Sequence, residues 1–466
     1  MTPPAPVIHA VRRGRAPNCS ATGSVVGLAL VTATAAAVVV NAFAERFARW
    51  LEGDDRPPDP DAGDGEAPDP TPQDPSPDDP AAPRVRLEPD GGVIAWHDPP
   101  ALLFVDGPTA QAAIARGAPL VGGAPAPAGA LTAPTEVHVA VTERCPVRCT
   151  ACYLDAGPDR ADPPREALDD DLETLARLGV LEIALGGGEV LLRPDLPALA
   201  HRIRDLGMVP NLTTSGLGLT RPLAHALATV AGQVNVSLDG PPEAYRRTRG
   251  WDGAGTALRA VDLLVEAGVR VGVNTVLTRA SFDALDELAD LLVAHGVVEW
   301  QWLRLKPAGR GAEAYEDLVL TPDQQTALWP RLLALEARTG LTFRVDCALV
   351  PFVAAHGPDP QALQRLGVAG CPGGHSLLSR RADGAWAPCS FAHDDAAQGA
   401  PGDHWQADPT LVTWRARADA PPEPCASCAF RASCRGGCRV VAAHLTGDPL
   451  APDPECPRVR AAAEAG

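Results

Sequence analysis

The chain predicts an α/β fold carrying a parallel sheet, doubly wound or a partial barrel, over residues 134–310. Two observations point there. Strand-like and helix-like patterns alternate six times between Thr135 and Leu305, the rhythm of repeated β/α units. Three cysteines, Cys145, Cys149 and Cys152, follow the first of those strands directly, at the sheet end where such folds carry their reactive groups.

The strands are read at TEVHVAV (135–141), LEIALGG (181–187), VPNLTTS (209–215), QVNVSLD (233–239), VRVGVNTVLT (269–278) and VEWQWLRL (298–305). Helical patterns such as EALDDDLETLARLG, DLPALAHRIRDLG, GTALRAVDLLVEAG and FDALDELADLLVAHG separate them. Ahead of this core, 84–133 reads as a small accessory region: a hairpin of two alternating strands around Asp98-Pro99-Pro100, then a short helix at 108–116. Behind it come a connecting helical region, 311–370, and a C-terminal domain, 371–466; the stretch 340–466 reads as loop-rich and so poor in apolar runs that it needs cross-links or metal to hold a fold.

The first 83 residues are different. Arg12, Arg13 and Arg15 precede an uncharged run, Ser24–Ala44, of about the length of a spanning helix, ending in an Ala-Phe-Ala of signal-cleavage form. Four readings stand: a membrane-associating helix, a peptide-like extension fused to the enzyme, a start codon placed too early, or an Ala-rich helix with an amphipathic face of Phe43, Phe47, Trp50 and Leu51. Residues 53–83, mostly Asp, Pro, Gly and Ala, make an extended, self-repelling linker. The head, 1–52, is therefore expected to be tethered and not packed.

A formal charge of -18 argues against nucleic acid as a partner, since phosphate binding needs a basic field. The chain has a single lysine, Lys306, which we read as composition bias with no function. Twelve cysteines are many for a reducing compartment unless they hold metal. Cys19 and Cys347 stand alone, three cluster at 145–152, and seven fall between Cys371 and Cys456. Two dense sets so far apart look like separate metal sites.

Three close thiols suit a disulfide knot, half a zinc site or an iron-sulfur nest. Paired Cys-x-x-Cys motifs mark zinc, and plant-type ferredoxins use a wider first gap and a fourth cysteine. The CxxxCxxC of Val141–Ala156 is neither. Three thiolates on a four-iron cubane leave one iron open to a small molecule. The second strand ends in LGGGEVLL; alone, GGGE is an ordinary glycine-rich strand-to-helix turn.

Together, CxxxCxxC after strand one and GGE after strand two resemble the radical S-adenosylmethionine (SAM) enzymes. The resemblance implies a partial (β/α)6 TIM-like barrel, with a [4Fe-4S] cluster on Cys145, Cys149 and Cys152. It implies close backbone approach at Gly187 and Gly188, and Glu189 on the cofactor's amino group. At later strand ends it points to Ser215, Ser237, Asp239 and Asn274 as cofactor-binding candidates, each equally a cap or turn former. Arg304 is either a partner of the cofactor carboxylate or a structural ion pair. Two departures stand out. Ala151 occupies a position where the family usually has an aromatic residue, with Tyr153 following, so altered packing near adenine is expected. PPEAYRRTRG follows SLDG where His-Asp is common.

The C-terminal spacing, Cys371, Gly384, Cys389, then CASCAFRASCRGGC and Cys456, resembles the seven-cysteine SPASM extension of peptide-modifying radical SAM enzymes. A zinc ribbon at Cys425–Cys438 is the plainer alternative. The resemblance implies one or two auxiliary [4Fe-4S] clusters: by the family pattern Cys371, Cys389 and Cys438 hold one, with Cys347 as its candidate fourth ligand or else an open iron able to bind substrate, and Cys425, Cys428, Cys434 and Cys456 hold the other.

The resemblance implies reductive cleavage of SAM to a 5'-deoxyadenosyl radical and oxidative modification of a peptide or protein, with a flavodoxin- or ferredoxin-type electron donor. The 84–120 hairpin offers a strand edge to a leader peptide, and the head, with Cys19, is a candidate fused substrate. Sulfatase-maturase-like and porphyrin-modifying enzymes are rivals within the superfamily; a non-catalytic iron-sulfur carrier or metal-stabilised scaffold is the rival outside it. Oxygen-sensitive clusters place the folded part in the cytoplasm, with the head as an attachment to the inner face of the membrane if 24–44 is an anchor.

Overall fold

The computed structural model of the 466-residue chain describes residues 8–10, Phe47, Trp50 and 83–465 apart from 98–99, 361–362 and 364–367. Cys19, the apolar run Ser24–Ala44 and the linker through residue 82 lie outside the described residues. Among the described residues no helix is long and apolar enough to cross a membrane.

Strands β1 (Ile8–Ala10), β2 (Arg84–Glu88), β3 (Gly91–His97) and β4 (Pro100–Val105) form one antiparallel sheet in the order β1-β4-β3-β2. The expected two-stranded hairpin is thus a three-stranded meander. Pro89 and Asp90 make a tight turn inside what reads as one long strand, because proline has no N–H to give a ladder and Asp-Gly suits a reversal. One face of the sheet meets the barrel: Val93, Ala95 and Leu102 pack with Leu181. Arg86, fully buried, donates to the carbonyls of Pro134 (2.8 Å) and Gly179 (2.7 Å) and pairs with Glu88. His97 Nε2 lies 3.0 Å from the Gly207 carbonyl; burial, then Arg84 and Arg204, lower its pKa to about 4, so the ring is neutral near pH 7.

The other face is covered by the helix Gly107–Ala115 and by Phe47 and Trp50, which pack with Val85, Ile94, Trp96 and Leu103. Phe47 is completely buried, its ring edge-on to Trp96 at 6.1 Å. The expectation of a merely tethered head is corrected here. A sheet with apolar residues on both faces needs a second cover, and two aromatic side chains supply it despite the acidic linker that follows.

The six predicted core strands are present as β5 (Glu136–Thr142), β6 (Glu182–Gly187), β7 (Val209–Thr214), β8 (Gln233–Ser237), β9 (Val271–Leu277) and β10 (Glu299–Arg304). They pair in parallel and in sequence order. Three further strands, β11 (Thr342–Val345), β12 (Leu377–Arg380) and β13 (Trp386–Ala387), extend the sheet to β11-β10-β9-β8-β7-β6-β5-β12-β13. Residues 340–466 are therefore not simply loop: β11 flanks β10, and β12 runs parallel to β5. Strands of four and two residues are too short to show a period. The result is an α/β partial barrel whose edges, β11 and β13, do not join.

Alternation along the strands sorts the side chains. Val137, Val139 and Val141 pack outward with Leu168, Leu172 and Leu175 of the helix Arg165–Leu178, while Glu136 and His138 line a cavity with Gln301 and Arg344. The lumen is polar and hydrogen-bonded: Gln233 Nε2 donates to Glu299 (2.8 Å) and Asn211 Nδ2 to Glu182 (3.3 Å).

Replacing Phe47 with Ala is expected to destabilise the accessory sheet by roughly 3–5 kcal/mol, the range for an aromatic removed from a core. Hydrogen exchange of the β3 amides measures it; protection unchanged from wild type would show that the head does not cover the sheet.

Candidate active site

The cysteine loop starts where β5 ends, and it is clasped by backbone contacts before any side chain acts. Gly187 has φ +127°, and a Cβ there would stand 2.0 Å from the Thr142 carbonyl oxygen; one on Gly188 would stand 2.4 Å from that of Arg144. Only glycine permits this approach. Gly188 N donates to Thr142 O at 2.7 Å and Glu189 N to Arg144 O at 3.0 Å. The close approach made by these glycines is thus to the cysteine loop's own base.

The loop is pinned from the far side as well. Arg310 Nε donates to the Cys149 carbonyl (3.0 Å), and its Nη1 donates to that of Ala156 (3.0 Å) and pairs with Asp155. Gly311 N donates to the Cys152 carbonyl at 3.2 Å, and Thr150 N to that of Arg249 at 3.1 Å. Gly309, at φ +54°, lies where a Cβ would meet the Cys152 and Tyr153 carbonyl oxygens at 2.7 Å. Cys145, Cys149 and Cys152 are half-buried neighbours with free thiols. Burial raises the Cys145 and Cys149 thiols, while Arg249 favours the Cys149 thiolate.

Glu189 is 1% exposed. Its carboxylate accepts from Leu191 N (3.1 Å), Ser215 N (2.9 Å), Thr214 Oγ1 and Ser215 Oγ, which together fill its four lone-pair directions. It locks the end of β6 to the end of β7, and Ser215 spends its hydroxyl on that lock. Asp239 accepts from Val276 N (2.8 Å) and pairs with Arg249 (2.6 Å), a residue the sequence reading passed over, whose guanidinium lies over Tyr245. Ser237 and Asn274 stand in register on β8 and β9; the buried Asn274 Oδ1 has no hydrogen-bond partner.

Arg304 is corrected. Both of its terminal nitrogens are taken by Asp453 and Glu455, with the Ala348 carbonyl at 2.9 Å, and it is 4% exposed. A guanidinium so engaged has no fork left for a cofactor carboxylate; it fastens the C-terminal part to β10. Ala151 packs against the cluster of Leu305, Tyr315, Ala348, Cys438 and Val441. Tyr153 packs against Phe391 in a tilted arrangement, with ring centroids 4.7 Å apart.

The remaining described cysteines form two groups, all free. Cys347, Cys371, Cys389 and Cys438 line one cavity of about 470 Å³ together with Lys306 and Asp346. Cys425, Cys428, Cys434 and Cys456 line a separate one of about 30 Å³ behind Phe430. Among the described residues no three His, Cys, Asp or Glu side chains converge on a single metal ion. Burial pushes the Cys389 thiol up to about 12 and Cys438 up to about 11. Lys306 opposes that shift at both, and Arg439 lies against Cys371. Four thiols facing two cations fit an anionic iron-sulfur cluster, whose binding displaces the thiol protons.

The sequence pattern of the radical SAM superfamily matches residues 139–292. A PqqA peptide cyclase of Streptomyces rochei is 31% identical over 338 residues, covering 70% of this chain and 90% of that one. The mycofactocin maturase MftC of Mycolicibacterium smegmatis is 31% identical over 340 residues, covering 70% and 83%. In fold, the crystal structure of Streptococcus suis SuiB bound to its precursor peptide SuiA overlays with a TM-score of 0.64 at 17% identity, over 81% of this chain and 99% of SuiB. The enzyme anSMEcpe with bound AdoMet and the Cp18Cys peptide gives 0.55 at 18%, over 70% and 94%.

Gly187→Ala should abolish the assembled site, since the added methyl meets a carbonyl that cannot move without breaking the β5–β6 ladder. Iron bound after anaerobic reconstitution is the readout; a wild-type iron content in this variant would refute the role given to the contact.

Proposed function

The chain belongs to the radical SAM superfamily, and on that premise we propose that it is a SPASM-type maturase that oxidatively modifies a ribosomally made peptide. The observation that carries the reading is the doubly clasped loop of Cys145, Cys149 and Cys152, three thiols at the sheet's mouth with the other described cysteines gathered elsewhere. With a four-iron cluster on those thiols and SAM bound, the site is supplied with a 5'-deoxyadenosyl radical by reductive cleavage.

The chain's own residues do the rest. Glu189, with Thr214 and Ser215, holds the strand ends at fixed spacing, and Gly187 and Gly188 bring their backbone against the loop. Ser237 and the unpartnered Asn274 Oδ1 offer polar contacts to the nucleoside, and Arg249, oriented by Asp239, sets a cation beside Cys149. Cys347, Cys371, Cys389 and Cys438 form one auxiliary donor set and Cys425, Cys428, Cys434 and Cys456 the other. Each offers the four sulfurs a [4Fe-4S] cluster takes. A flavodoxin- or ferredoxin-type protein in a reducing cytoplasm would supply the electron.

A peptide substrate is supported by the names of the relatives and by the accessory sheet. Its β4 edge accepts an added strand, and the strand found there is the chain's own Ile8–Ala10. Main-chain pairing at a sheet edge is a general mode of peptide capture, so a leader peptide and the head would compete for one position.

Two measurements test this. Full-length protein reconstituted anaerobically should bind about twelve irons and form 5'-deoxyadenosine with dithionite; the Cys145, Cys149, Cys152 triple-Ala variant should hold about eight, four per remaining cluster, and form none. Zinc in place of iron, or no SAM cleavage by the intact protein, would reject the reading. For the edge, a chain lacking residues 1–20 should bind a synthetic peptide of those residues, while the full-length chain should bind it at least tenfold more weakly; equal binding by both would remove the competition.

A further inference from the structure

Lys306 is one lysine among 40 basic Lys and Arg residues, and its surroundings give that single use a purpose. It is 7% exposed, in the wall of the cavity lined by Cys347, Cys371, Cys389 and Cys438. Its ammonium pairs with Asp346 and lies 4.4 Å from the centroid of the Phe391 ring. Asp346 is itself fixed, accepting from Arg304 N at 3.0 Å and from the Cys347 thiol at 3.3 Å. Burial pulls the lysine's pKa down; Asp346 first, then Cys347 and Cys438, outweigh it and keep the ammonium charged. An ammonium is a compact charge with three donors, whereas the guanidinium used everywhere else is a broad planar fork.

We infer that Lys306 is a positioning residue for the auxiliary cluster on Cys347, Cys371, Cys389 and Cys438, a fixed cation that raises the potential at which that cluster takes an electron. The inference rests on the ligand set proposed above. One-electron reduction, by the reductant of a titration or by a substrate undergoing oxidation, adds one negative charge to the cluster, with no bond made or broken. A buried cation in the wall of the same cavity lowers the energy of the reduced form, and the low-dielectric wall screens it little. Asp346 moderates the same charge and holds it in place. Phe391, tilted against Tyr153 next to Cys152 and two residues from Cys389, makes this cation part of the packed contact between the two cysteine sites.

The test is a reductive titration, followed by electron paramagnetic resonance, of full-length reconstituted protein. Lys306→Met should shift one cluster midpoint to more negative potential and leave the other two in place. Lys306→Arg, keeping the charge, should lie between that variant and wild type. Asp346→Asn, which frees the ammonium, should shift the same midpoint the opposite way. Midpoints unmoved in both the Met and Asn variants with their iron retained, or both moved in one direction, would overturn the inference. If Lys306→Met loses about four irons, the Asp346→Asn shift decides alone: upward supports, unmoved or downward refutes. A wild-type chain that binds only about four irons fails at the ligand set, before Lys306 is reached.

Discussion

The constraint on which the site depends is the approach of one backbone to another, Gly187 and Gly188 against the carbonyls of Thr142 and Arg144. A loop bearing three half-buried thiols has little apolar surface with which to order itself. Here its base is held by hydrogen bonds from the neighbouring strand end, and its rim by Arg310, Gly311 and the Arg249 carbonyl. The order of the site is therefore supplied by strand ends whose positions the outer core sets. Side chains at those ends then fasten strand to strand, as Glu189 and Asp239 do, while the buried Asn274 Oδ1 is left without a hydrogen-bond partner.

The C-terminal part is joined to the barrel by charge as well as by strand pairing. Arg304, Asp453 and Glu455 are each less than a tenth exposed, with Tyr315 Oη donating to Glu455 at 2.9 Å. Taking such charges out of water costs several kcal/mol per ion, which the pairing offsets only with good geometry. The bidentate Arg304–Asp453 contact has that geometry, and Asp453 also accepts from Cys438 N at 3.0 Å. One carboxylate thus ties β10 to the backbone of Cys438, a cysteine of the proposed auxiliary set, so a cluster there would be referenced to the barrel.

The barrel was legible because β5 to β10 each carry enough alternation to read, and the glycines at 187 and 188 stand at a strand end. The grouping of the C-terminal cysteines followed only from resemblance. The strands β11, β12 and β13 were invisible: four or two residues carry no period, and their place is decided by partners far away in sequence. Arg304 read equally as a cofactor partner or a structural ion, since nothing near it in sequence announces Asp453. Lys306 had a signal, its singularity, that composition alone could not separate from bias. Phe47 and Trp50 were visible as an amphipathic face, but the acidic linker after them argued for detachment, and the apolar back of the accessory sheet overrode it.

The pairing of β12 with β5 also sets an order of events. Thr135 Oγ1 bonds the Ser376 carbonyl, 241 residues further on, and the β5–β12 ladder runs beside it. During synthesis the first strand of the barrel leaves the ribosome long before its neighbour exists, and until then it offers an open edge of the kind that recruits other chains. The cysteines of the first loop are made early and those of the auxiliary sets last. The covering of that edge of β5, with the slow kinetics of distant pairing, therefore awaits the same late segment that carries the second group of cysteines.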